Sequence, residues 1–109
     1  MNRHVAELRA INALISKVTH TETAMAPIII GLQQKKGFGP AVVQTLQEEW
    51  TQVATLKEKV AKEWAAVSSA QRAGTILDLE NLMLLKRELH KLVTAFTEGI
   101  YADAKRLSI

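Results

Sequence analysis

Between residues 43 and 67 apolar side chains recur at alternating intervals of three and four: Val43, Leu46, Trp50, Val53, Val60, Trp64 and Val67, with Lys57 at the one polar step. A strand repeats every two residues, so this spacing predicts a helix with one apolar face, over about 40–67. The opposite face, with Gln44, Glu48, Thr51, Thr55, Glu58 and Lys62, suits water. A long one-faced helix must bury that face against other helices. The remainder of the chain is read as material that could do so.

Two further segments have the required period. In residues 3–35, Leu8, Ile11, Ile15, Val18, Met25, Ile29 and Leu32 fall three or four apart. Continuing that stripe places Glu22 on it, either at the edge of the bundle or paired with a base such as Lys57. Pro27 lacks an N–H, so it kinks or interrupts this first helix; on this register it faces outward. A third helix is expected over about 75–107, with Leu82, Leu85, Leu89, Leu92 and Phe96 inward, drifting to Ile100 and Leu107. Lys35-Lys36-Gly37-Phe38-Gly39-Pro40 separates the first two helices. Lysines suit the negative end of a helix, glycine follows it, and proline fits the next first turn. Phe38 there is a plug over the bundle end or, alternatively, an exposed recognition tip.

Ser68-Ser69-Ala70-Gln71-Arg72-Ala73-Gly74-Thr75 reads as the second connection. Thr75 and Asp78 could cap the third helix, with Ser68 and Gln71 as a competing start. The expectation is one all-α domain over 1–109: an elongated three-helix up-down-up bundle with heptad-like packing, self-associating as well. Lys57, a polar residue in an apolar series, is of the kind that sets register or oligomeric state.

Ile76 to Leu85 is the most apolar stretch, richer than one helical stripe requires. Ile76, Leu79, Leu82, Met83 and Leu84 are therefore the candidate interface, with a homodimer as the simplest partner. The function expected is a non-enzymatic protein–protein interaction module, such as an adaptor, an assembly or export chaperone, or an accessory subunit.

Rival chemistries find less support. Cysteine is absent, which excludes disulfides, thiolate metal sites and cysteine nucleophiles. His4, His20 and His90 lack the Glu-x-x-His spacing of a bundle metal site. No phosphate-binding glycine loop is present, and no cofactor or small-molecule ligand is indicated. Trp50 and Trp64 are read as core, with ligand stacking the alternative. The net charge of +3 is only mildly basic. A nucleic-acid-binding alternative rests on Lys86, Arg87 and Lys91, but Glu80, Glu88, Glu98 and Asp103 interrupt that face. A small enzyme with an arginine-lined pocket is a second alternative, drawing on Arg3, Arg9, Arg72, Arg87 and Arg106. The longest mostly apolar run, residues 24–32, is far short of the roughly 20 residues of a membrane span, and the charged N-terminus does not resemble a signal peptide. The chain is accordingly expected to be soluble and cytoplasmic.

Overall fold

The computed structural model describes residues 3–75 and 78–109, and it is an all-α bundle. Among these residues the elements are α1 (Arg3–Gln33), α2 (Gly39–Arg72), α3 (Glu80–Glu98) and α4 (Ile100–Leu107). There is no strand among them. The bundle is a rod of 57 × 18 × 18 Å, elongated as helices of this length require. Leu32 lies against Gly39, Glu22 bonds Trp50, and Leu8 bonds Trp64. Thus α2 passes back along α1 from its end to its beginning.

The inward face of α2 is as its spacing predicts: Val43, Leu46, Trp50, Val53, Val60 and Val67 are buried, and Trp64 and Lys57 partly so. On α1 the buried series is Ile11, Leu14, Val18, Thr21, Met25, Ile28 and Leu32. Ile15 and Ile29, expected on this stripe, pack partly against the core and Glu22 lies at its exposed edge, but the fully inward positions are Leu14, Thr21 and Ile28. Each lies one residue earlier, a rotation of about 100°. Thr21 can enter a core because its hydroxyl donates to the Lys17 carbonyl at 2.9 Å, within its own helix. A carboxylate has no comparable means of satisfying itself. Pro27 neither breaks nor ends α1. It lies on the exposed side, as does Thr23, whose carbonyl it leaves without an amide partner, so water can substitute.

Both turns depend on glycine. A side chain at Gly39 would overlap the Leu32 carbonyl oxygen, so the start of α2 approaches the end of α1 more closely than any other residue allows. The second turn comes later than predicted, because Ser68 to Arg72 continue α2. Val67 is buried and Ser68 and Gln71 are half-buried, and this packing overrides a small, polar composition. Helix α2 ends where Gly74 takes φ +80°. The Thr75 amide donates to the Ala70 carbonyl at 2.8 Å and the Gly74 amide to the Gln71 carbonyl at 3.1 Å, the paired bonds of a Schellman ending.

The third segment departs furthest from expectation. It starts at Glu80 rather than 75, and Asp78 accepts the Glu80 amide at 2.9 Å in place of the expected Thr75 cap. It also breaks at Gly99, whose φ −99° and ψ −107° leave the helical region. As a result α4 turns Ala104 into the core, while Ile100 and Leu107 are only partly buried. Trp50, Phe96 and Tyr101 bridge the break, with ring centroids 5.3 Å and 5.8 Å apart.

Candidate functional site

Of the five side chains expected to form an interface at the start of α3, Leu82 is fully buried and belongs to the core of this chain. That corrects its assignment to a partner. Leu79 and Met83 pack partly against the core and line a shallow hollow with His4 and Glu7 on α1. Leu84 is 49% exposed. One turn to either side of it stand Glu80, Arg87 and Glu88, all exposed, so it is a single apolar side chain among charges. Ile76 lies outside the described residues, as does Leu77 beside it. Of the described apolar side chains in this stretch, Leu82 is buried, Leu79, Met83 and Leu85 are partly buried and Leu84 is exposed.

The basic face is likewise divided. Lys86 lies 3.8 Å from the Glu7 carboxylate and ties α3 to α1. Arg87 and Lys91 are exposed, with Glu88 between them.

One end of the rod carries three of the four exposed large apolar side chains among the described residues: Ile30, Phe38 and Ile109, the last 92% exposed. Ile30, in the last turn of α1, is 56% exposed, and Phe38, just before α2, is 47% exposed. Phe38 is thus about half covered by the chain and half exposed at this end. Helix α4 ends here too: Ser108 packs on Gly31, and the Lys35 ammonium donates to the Ile109 carbonyl at 2.7 Å. Lys36 follows α1 at this end and α4 carries Lys105 and Arg106, Arg106 pairing with Asp103 at 3.2 Å.

The opposite end is concave. Here the two tryptophans, which share one face of α2, have different surroundings. Trp50 is buried against Phe96, and its indole N–H donates to Glu22 at 3.1 Å. Glu22 is exposed at the bundle edge, so the edge reading holds and its partner is an indole rather than Lys57. Trp64 is only partly buried, and its N–H donates to the Leu8 carbonyl at 2.8 Å. Its ring lines an open groove of about 450 Å³ between the start of α1 and the end of α2. Val5, Arg9, Asn12, Gln71 and Arg72 line it as well. The sequence reading missed this site because it ended α2 near residue 67. With the helix continued, Trp64, Ser68 and Gln71 fall on one face by the same three-and-four spacing, which was the available signal.

Among the described residues no group of three or more His, Asp or Glu side chains could hold a metal ion. No helix among them is long and apolar enough to cross a membrane. No known protein family matches the chain, and neither curated proteins nor solved structures give a significant match.

Proposed function

We propose that the chain is a helical protein–protein interaction module, an up-down-up bundle with heptad-like packing that presents apolar side chains to a partner and performs no covalent chemistry. The observation that carries this reading is the exposure of Ile30 and Phe38 together at one end of the rod. Single exposed apolar residues are ordinary, whereas two large ones on the same tip favour a contact site. Lys35 and Lys36 follow α1 at this end, and α4, which carries Lys105 and Arg106, ends beside it; Lys35 bonds the Ile109 carbonyl and Arg106 pairs with Asp103. Two copies meeting tip to tip would oppose these like charges. A partner with an apolar contact and an acidic margin suits the tip better. A homodimer through the start of α3 is the weaker form of the proposal, since Leu84 is ringed by charge.

The test is a capture experiment from the source cell with three forms of the chain: unaltered, Ile30→Ser with Phe38→Ser, and Leu84→Ser. A protein retained by the unaltered chain and by Leu84→Ser, but lost with the tip variant, supports the proposal. Retention by the tip variant, or loss with Leu84→Ser, rejects the tip as the contact surface. Sedimentation of the unaltered chain at high micromolar concentration decides the dimer.

A further inference from the structure

The groove at the other end has a different character. Three apolar side chains, Trp64, Val5 and Leu8, line it. Its lining also includes Arg9 on α1 and Arg72 at the last position of α2, and no lining side chain among the described residues is acidic. Among the described residues neither arginine makes an ion pair. The indole N–H of Trp64 is already satisfied by Leu8, so the ring offers its apolar surface rather than a donor. Asn12, Ser68 and Gln71 supply neutral polar groups beside it. The groove, of about 450 Å³, is open, so it would cover only part of a small ligand.

We infer that this groove binds a small amphipathic carboxylate, with its apolar body against Trp64, Val5 and Leu8 and its carboxylate between Arg9 and Arg72. Charge complementarity selects the head group, because an arginine fork matches a carboxylate in both charge and planar geometry. The uncompensated arginines select against a cation. The apolar lining selects against a small hydrophilic anion, which would leave the Trp64 ring uncovered. Because the groove is open along one side, part of the ligand stays in water and the binding is modest. Arg9 and Arg72 hold the ligand in the absence of any reacting group, so the inference concerns binding alone and stands apart from the partner surface at the tip.

The experiment uses the unaltered full chain, labelled with nitrogen-15, and titrates decanoate and, separately, 1-decanol, which shares the tail and lacks the charge. The two indole N–H signals report the two tryptophans independently. Decanoate is expected to shift the Trp64 indole and the amides of Asn12 and Gln71 while leaving the Trp50 indole in place. Decanol is expected to need about tenfold more ligand for half-saturation, the cost of losing a charged hydrogen-bonding head. Arg9→Gln with Arg72→Gln should weaken decanoate by about tenfold and leave decanol unchanged. Both arginines are exposed, so these variants keep the fold, and an unchanged Trp50 indole signal verifies it. Arg87→Gln with Lys91→Gln serves as the control for overall charge and should change neither titration. Equal binding of decanoate and decanol overturns the inference. Undiminished decanoate binding by the double arginine variant, or shifts centred on Phe38 or Leu84, does so too.

Discussion

The two ends of the rod use the same ingredients, aromatic side chains and cations, in different settings. At the tip, Phe38 and Ile30 project from a turn held tightly by Gly39 against Leu32. At the other end, Trp64 lines a groove together with Arg9 and Arg72. Exposed apolar side chains at the end of a rod are the kind of surface that a macromolecular partner covers. An open groove of about 450 Å³ can hold part of a small molecule. The cations follow the same division: Lys35 is bonded to the chain's own Ile109 carbonyl, whereas Arg9 and Arg72 make no ion pair among the described residues. The presence of a groove and the pairing of the cations, more than residue type, distinguish the two surfaces.

The contrast extends into the core and gives its largest measurable consequence there. Leu32 beneath the tip is fully buried, while Leu8 forms part of the groove. Truncating a buried leucine to alanine costs about 2–5 kcal/mol, more where the cavity cannot collapse. Leu32→Ala should fall in the upper part of that range and Leu8→Ala in the lower, as read from urea unfolding midpoints. Equal losses would mean that the groove is closed over in solution.

A smaller difference is expected between the two turns. Gly39→Ala forces a methyl group into the Leu32 carbonyl and should cost about 1–3 kcal/mol, an overpacking effect. Gly74→Ala meets no neighbouring atom within 4 Å, and its cost is only that of φ +80°, about 1–2 kcal/mol. Thermal unfolding of the two variants ranks them. If Gly74→Ala proved the worse, the Schellman ending of α2 would matter more to the fold than the close approach at the tip.

Trp64→Phe sharpens the groove end further. It keeps an aromatic ring but removes the 2.8 Å bond to the Leu8 carbonyl, which should cost about 0.5–1.5 kcal/mol. Trp50→Phe removes a bond to Glu22, which is exposed and regains water. Because Trp50 is buried against Phe96, the smaller ring also leaves a cavity there, so its loss should be the greater of the two, as urea midpoints of the paired variants would show.

How much of this was legible in the sequence differs between segments for physical reasons. The face of α2 could be read because its candidate positions are apolar and their neighbours polar, leaving one register. On α1, Ile28, Ile29 and Ile30 are equivalent by composition, and only the packing selects Ile28. Thr21 was overlooked in favour of Glu22 because periodicity does not register that a threonine can satisfy its own hydroxyl within the helix. The break at Gly99 was signalled by a glycine alone, without the proline or polar cluster that usually marks an ending. The tip was visible in Gly37-Phe38-Gly39-Pro40, since turn chemistry is local. The groove was not, because it needs two segments roughly 60 residues apart and an α2 longer than its composition implies.

The smallest expected effect on stability is also the one that separates the tip from the core most clearly. Ile30→Ser and Phe38→Ser change side chains that already stand about half in water, and surface substitutions of this kind fall within about 0.5 kcal/mol. Their unfolding midpoints should match that of the unaltered chain. Natural folding has no reason to leave a large apolar pair exposed when serine would serve the fold equally well, so indifference of the fold is what a contact surface predicts. Were the double variant to lose about 2 kcal/mol or more, Phe38 and Ile30 would be covering the end of the bundle after all. Their exposure would then be a consequence of closing the α1–α2 turn rather than a feature kept for a partner.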